Sequence, residues 1–355
     1  MNLKSKIAVI SLGLITGFFI TTSFVSKPPV VKKSDQALDI LWKLKDDMPL
    51  HYRNPSQLDS VKINYGKNLV TKGFTNPNKK GKRQSKHFVC TDCHNIQRED
   101  PDLTQNNPDT RLDYVAKHKI KFLPGTTLYG TINKSHWYND DYSKKYGELV
   151  DPARDTLENA IQLCAEVCSQ GRPLCEDEME AVIHYFNSIG YTIQDLNLSD
   201  KENLFLTKTL SSKPTGADKE DAIRLIKSKY QSYSDATFMK PQSIENRKLG
   251  EKGNPAIGSK IYNMSCLPCH KEGGVTNYKL NNDQLTFKHL KKFAKTHKYF
   301  SVYDITRKGT YVKNGYKPYM PNFTKERLSN KQLEDLVAYF NLRSKGDDLF
   351  PNTKN

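Results

Sequence analysis

The sequence predicts a mainly α-helical protein with two successive domains behind an amino-terminal membrane anchor or signal segment. Three observations lead there. The pattern C-x-x-C-H occurs twice, as Cys90-Thr91-Asp92-Cys93-His94 and as Cys266-Leu267-Pro268-Cys269-His270. Segments with apolar residues at helical spacing flank both copies. The chain opens with Lys4, Lys6 and an almost uncharged run from Ile7 to Val25, closed by Ser26, Lys27, Pro28 and Pro29. C-x-x-C-H is the attachment signature of c-type haem: two thiols three residues apart form thioethers with the vinyl groups, and the following histidine reaches the iron. Both domains are therefore expected to be of cytochrome c type, each with one covalently bound haem c. Cys90 and Cys93 would hold haem 1 with His94 on its iron, and Cys266 and Cys269 would hold haem 2 with His270 on its iron.

Length agrees, since 355 residues exceed one small domain and suit two at roughly 100 to 200 residues each. The expected division is 1–33 as signal or anchor and linker, 34–195 as the first haem domain, 196–244 as a connecting strap, 245–345 as the second haem domain and 346–355 as a tail. Only 36% of the residues are hydrophobic, a lean core for this length, and a large prosthetic group in each domain would compensate. The formal charge of +16 predicts an electropositive exterior suited to acidic redox partners, anionic substrates or anionic lipid. No segment interleaves basic and aromatic residues in a nucleic-acid motif.

Lysines ahead of an apolar run place the rest of the chain outside the cytoplasm. The run is just long enough to span a membrane and lacks a small-x-small cleavage site before the prolines, which favours an uncleaved anchor over a removed signal peptide. The expected location is periplasmic, tethered to the inner membrane by that segment, or soluble after cleavage. No cysteine lies in it, which excludes lipid attachment through cysteine. Haem attachment follows export, so the two readings are mutually consistent.

The first domain opens with an amphipathic helix carrying Ala37, Ile40, Leu41 and Leu44, with Ser34 as its expected cap. Tyr65 to Val70 is the helix before haem 1, and Lys79 to Lys86 a basic loop. A long polar segment, Gln97 to Pro152, follows His94. Its aromatics, Trp137, Tyr138 and Tyr142, are expected to form a small satellite core in preference to covering the haem. A helix over about Thr156 to Cys168 then ends near Gly171, a residue suited to the left-handed conformation after a helix. The next helix carries Met179, Val182, Ile183, Tyr185 and Phe186. Cys164, Met179 and His184 are the ligand-capable side chains here. The strap holds one amphipathic helix with Ala222, Ile223, Leu225, Ile226 and Tyr230.

In the second domain a short helix with Gly258, Ile261 and Tyr262 precedes the haem motif. Ser329 caps a final helix with Leu333, Leu336, Val337, Tyr339 and Phe340. Between them Pro318-Tyr319-Met320-Pro321 places a methionine in a proline-flanked loop, the pattern of a sixth ligand in small soluble cytochromes c. Met320 is thus the expected partner of His270 on iron, a thioether that raises the potential, with Lys317 and Met264 as substitutes. Such a haem suits electron exit.

The segment Cys164-Ala165-Glu166-Val167-Cys168-Ser169-Gln170-Gly171-Arg172-Pro173-Leu174 resembles the helix end C-x-x-R-S-x-N-G-[KR]-x-L of the dihaem thiosulfate dehydrogenase family. The resemblance extends over roughly 60–94, 155–190 and 250–342. It implies that Cys164 is the distal thiolate ligand of haem 1 and a candidate catalytic residue toward a sulfur compound such as thiosulfate or tetrathionate. Val167, Cys168 and Gln170 depart from the motif, and the missing arginine and serine are the groups suited to hold an anionic sulfur substrate. Cysteine arithmetic agrees on the ligand. Of seven cysteines, four sit in the haem motifs; among the other three, Cys168 and Cys175 flank the helix end and are expected to pair, leaving Cys164 for iron. A Cys164–Cys168 pair is the rival, and Met179 or His118 the alternative ligands.

Three functions fit these observations. The first is electron transfer between exported or membrane redox partners such as cytochromes, cupredoxins or a membrane oxidase. The second is oxidation or reduction of a sulfur compound at Cys164, and the third a docking subunit of a respiratory complex. The first is preferred, because a shared fold does not establish chemistry.

Overall fold

The structure is a computed structural model that describes residues 30–74, 82–212, 214–296, 301–310, 319–347 and 349. The apolar run Ile7–Val25, the start of the basic loop at Lys79, and Lys317 and Pro318 lie outside the described residues. Among the described residues no helix is long and apolar enough to cross a membrane.

The chain is helical, with no strand among the described residues beyond one isolated bridge, Gln36 to Thr192. Its longer helices are α1 (Ala37–Lys43), α2 (Ser60–Lys72), α3 (Pro108–His118), α4 (Leu157–Leu163), α5 (Glu176–Ser188), α6 (Asp200–Ser211), α7 (Gly216–Lys227), α8 (Pro255–Ile261), α9 (Gln284–Ala294), α10 (Val302–Lys308) and α11 (Asn330–Ser344). Local signals set most boundaries. The carboxylate of Asp59 accepts the amides of Val61 and Lys62 to start α2, and Gly73 ends it at φ 79°. Ser329 and Gln332 form a reciprocal capping box on α11. α1 instead begins after Gln36, which makes no side-chain cap, so Ser34 is not its cap. Gln36 and Ala37 are held by pairing with the chain around Tyr191 and Thr192.

Two hydrophobic cores form. The first gathers Leu38 and Ile40 of α1, Leu69 and Val70 of α2, Leu157 and Leu163 of α4, Val182 and Phe186 of α5, and Leu206, Ala222 and Ile226. The connecting region therefore supplies two helices, α6 and α7, and not the single one expected, and their apolar faces seal the first core. The second core gathers Ile261, Tyr262, Phe287, Tyr303, Leu336, Val337 and Phe340, and takes in Leu112, Val115 and Phe122 from α3 and the residues after it. The polar segment 97–152 is thus shared between the two cores.

One glycine in each half decides how its helices cross. A Cβ on Gly66 of α2 would lie 2.0 Å from the carbonyl oxygen of Ala181 and 2.9 Å from Cβ of Tyr185 on α5. A Cβ on Gly258 of α8 would lie 2.0 Å from the carbonyl oxygen of Asp335 and 2.8 Å from Cβ of Tyr339 on α11. Backbones that touch at such a distance tolerate no side chain there. The same contact, glycine against residues four apart on the closing helix, therefore recurs in both halves.

A buried charge network joins them. Glu99 is fully buried and meets Arg327 at 2.6 Å and Arg111 at 3.6 Å. Asn95 Nδ2 and the Thr127 amide donate to the same carboxylate, Arg327 donates to the Leu123 carbonyl and Arg111 to the Arg327 carbonyl. Arg111 also lies 3.9 Å from the centre of the Phe122 ring. Burial raises the cost of Glu99's charge, but the two guanidiniums overcome it and hold the carboxyl at about 2.

Candidate haem sites

Both C-x-x-C-H histidines are oriented the same way. His94 Nδ1 is 2.6 Å from the Thr126 carbonyl oxygen, and His270 Nδ1 is 2.7 Å from that of Tyr278. A ring whose Nδ1–H donates to a carbonyl presents its Nε2 lone pair, the atom a metal takes. Burial pushes both imidazoles below their ordinary value, which keeps them neutral for ligation.

Around the first motif lies a cavity of about 210 Å³. It is lined by Cys90, Cys93 and His94, by Ala160, Cys164 and Cys168 of α4 and the turn after it, and by Val182 and Phe186 of α5. Two half-buried thiols, a histidine with a free Nε2 and largely apolar walls fit a covalently held haem.

Tyr138, Tyr142, Tyr146 and Trp137 line this cavity as well. The expectation of a mere satellite core is therefore corrected: the aromatics of segment 97–152 form the cavity wall, and Trp137 also joins the first core. Tyr142 packs edge-on against Tyr138 at 4.7 Å. Nothing in the helical spacing around these residues marks a wall, because the apposition to Cys164 comes from the tertiary fold.

Cys164 stands where α4 passes into a wider turn, closed by the Ser169 amide donating to the Cys164 carbonyl at 2.8 Å. The helix end also differs from expectation. Gln170, not Gly171, takes the left-handed conformation, at φ 53°. Gly171 is needed instead for close approach, since a Cβ there would lie 2.2 Å from Nε2 of Gln84. That amide donates to the Ala165 and Arg172 carbonyls and fastens the turn.

The expected Cys168–Cys175 pairing is not formed. Cys175 is exposed at the start of α5, while Cys168, like Cys164, lines the cavity. Its Sγ is 3.7 Å from the Tyr146 hydroxyl. The bond from Cys164, then those from Tyr146 and Tyr138 and the charge of Lys145, outweigh burial and bring the Cys168 thiol down to about 7. Cys164 is pushed well above the ordinary thiol range, first by that bond to Cys168 and then by burial. Met179, His184 and His118 do not line the cavity. His184 Nδ1 accepts the Asp59 amide, and His118 stacks on Tyr114.

In the second half Cys266, Leu267, Met264 and Met320 pack against the second core. Met320 is braced on Thr310, its amide donating to Oγ1 at 2.7 Å and its carbonyl accepting the Thr310 amide at 2.9 Å. Met264 gives its carbonyl to the Phe122 amide. Met320's neighbours Tyr319, Pro321 and Asn322 face the other way and line the cavity of the first half. Tyr319 packs edge-on against Phe88 there, and Lys145 donates to Asn322 at 2.6 Å. After burial, the charge of Cys269 is the largest influence raising the Cys93 thiol.

Residues 253–340 match the family of the cbb3-type cytochrome c oxidase subunit III. They form a cytochrome c domain. The domain takes in Gly258, the second C-x-x-C-H motif, Met320 and most of α11, and a cytochrome c domain carries covalently bound haem c and moves electrons. Neither a curated protein nor a solved structure matches the chain.

Proposed function

We propose that the chain is an exported two-haem c-type cytochrome that relays electrons between periplasmic or membrane redox partners. One observation carries the second haem site: the first half repeats the construction of the cytochrome c domain, with the histidine Nδ1 on a carbonyl and the glycine crossing of the flanking helices. In this reading Cys90 and Cys93 hold haem 1, with His94 and Cys164 on its iron. Cys266 and Cys269 hold haem 2, with His270 and Met320. The haems supply one-electron redox chemistry; the protein fixes their ligands and spacing. An anionic thiolate stabilises ferric iron and a thioether favours ferrous iron, so bound haems would supply one-electron chemistry directed from the first site to the second. The basic exterior suits an acidic acceptor such as a cytochrome, a cupredoxin or a membrane oxidase, and the amino-terminal segment would hold the chain at the membrane.

A second reading is an oxidoreductase of the thiosulfate dehydrogenase type acting at Cys164, favoured by a cavity that places two thiols opposite the attachment cysteines. Haem content decides the first reading: exported protein should carry two haems per chain and Cys90→Ala should lower that number, whereas one haem with unaltered content in the variant overturns it. Reduction of the holoprotein by thiosulfate, or its oxidation by tetrathionate, separates the second reading from the first.

A further inference from the structure

The loop that carries Met320 is held from both halves of the molecule, and the two halves hold different parts of it. The second half fixes its backbone. Thr310 takes the Met320 amide on Oγ1 at 2.7 Å and gives its own amide to the Met320 carbonyl at 2.9 Å. Gly309, at φ 64°, lets the two strands of the loop meet, since a Cβ there would lie 2.5 Å from the Met320 carbonyl oxygen. Further on, the Phe323 amide donates to the Thr306 carbonyl, and Arg307 donates to the Phe323 carbonyl. The first half fixes the flanking side chains. Tyr319 packs edge-on against Phe88 with ring centres 5.5 Å apart. The Lys145 ammonium donates to Oδ1 of Asn322 at 2.6 Å and lies 5.7 Å from the Tyr319 ring. Met320, between these two residues, packs onto the second core.

We propose that Lys145 is a positioning residue for the iron ligand of the other half: it holds Tyr319 and Asn322 so that Met320 stays on the second iron, and the first half thereby sets part of the second haem's potential. The inference rests on the reading of Met320 as that ligand. Lys145 sits on the short helix Ser143–Tyr146, whose surroundings keep it in place. Arg154 donates to Ser143 Oγ at 3.0 Å, and the Phe238 amide donates to the Asp141 carboxylate at 2.7 Å. The ammonium is also 5.6 Å from the Tyr146 ring, so it bridges a tyrosine of each half. A hydrogen bond from a charged donor is stronger than a neutral one, and this one grips the loop two residues beyond the methionine. Groups behind a metal ligand fix its orientation and tune the metal; a thioether held less firmly raises the potential less.

Lys145→Met, which keeps the length of the side chain and removes the ammonium, tests this in the holoprotein with both haems attached. Three properties of the second haem should move together. The sulfur-to-iron band of the ferric spectrum should weaken, and the midpoint potential should shift toward that of Met320→Ala. Imidazole should displace the sulfur at about a tenfold lower concentration, the equivalent of one hydrogen bond to a charged group. Lys145→Arg, which keeps a charged donor, should restore all three. Asn322→Leu should act as Lys145→Met does, and the double variant should do no more than either single one, because both remove the same interaction. A Lys145→Met protein with the wild-type band, potential and imidazole midpoint overturns the proposal, as do additive effects of the two substitutions. Met320→Ala separates that failure from failure of the underlying reading. If it leaves the band in place, Met320 is not the ligand and both fall; if it abolishes the band while Lys145→Met changes nothing, the positioning role alone falls.

Discussion

The two halves share a scaffold and differ in the wall opposite the histidine. In the second, the acceptor for His270 lies eight residues on, at Tyr278, and Met320 is braced on Thr310. In the first, the acceptor for His94 is Thr126, thirty-two residues on. The chain between them reaches across to bury Arg111, Leu112 and Val115 beside the other half. It returns to build a tyrosine wall facing two thiols. Scaffold and wall are thus separable: glycine crossings and histidine tethers fix the place for a haem, and the inserted chain sets what meets its open face.

Replacing the crossing glycines would break the comparison most severely. Gly258→Val forces a branched side chain onto a backbone oxygen 2.0 Å from its Cβ, and should cost more than about 3 kcal/mol and remove the covalent haem of the second half. Gly66→Val should do the same to the first half. Haem per polypeptide and a denaturant titration read both effects, and a Gly66→Val protein with full haem and unchanged stability would show that the halves are not built alike.

Next in size is the lock between the halves. Arg327→Met leaves Glu99 with Arg111 at 3.6 Å as its one remaining ion-pair partner, and breaking a buried pair typically costs about 3–5 kcal/mol. Because Arg327 belongs to the second half and Glu99 to the first, the variant should also unfold in two steps where the wild type unfolds in one. A single transition at the wild-type midpoint would show that the network holds nothing together.

Scaffold features were legible in the sequence because they follow from local rules. C-x-x-C-H, the Ser329 cap and the apolar stripes of α5 and α11 announce themselves within a few residues. Glu99, Arg111 and Arg327 were missed because nothing in their neighbourhoods says that three charges more than two hundred residues apart in all will be buried together. Cys168 was paired with Cys175 for the same reason: both flank the helix end in sequence, but Cys175 is exposed while Cys168 lines the cavity.

Ligand substitutions sharpen the comparison between the two walls. Cys164→Ala should turn haem 1 high-spin or water-ligated and raise its potential, leaving haem 2 unchanged; Met320→Ala should lower the potential of haem 2 and abolish its sulfur-to-iron band. Paramagnetic resonance and potentiometry on both variants read this. A low-spin haem 1 signal that survives Cys164→Ala would mean that another residue holds the iron.

The smallest expected effect concerns Asp100, next to the lock. It lines a small polar cavity of about 30 Å³ with Lys134, Tyr191 and Glu99, behind the strand of chain that carries Thr126. Burial, and then repulsion from Glu99, raise its carboxyl from 3.8 to about 6, against the pull of Arg327, Arg111 and Lys134. A carboxyl raised in the folded state contributes stability that is complete below about pH 4 and is lost as the pH climbs through 6. Glu99 behaves oppositely: held at about 2, its contribution is present above about 4.5 and lost only as the pH falls toward 2. Asp100→Asn should therefore raise stability at pH 7 by about 1–3 kcal/mol and leave it unchanged at pH 4, flattening the slope between. Denaturant midpoints of the holoprotein at both pH values check it, and an equal shift at pH 4 and pH 7 would mean that the side chain's charge plays no part.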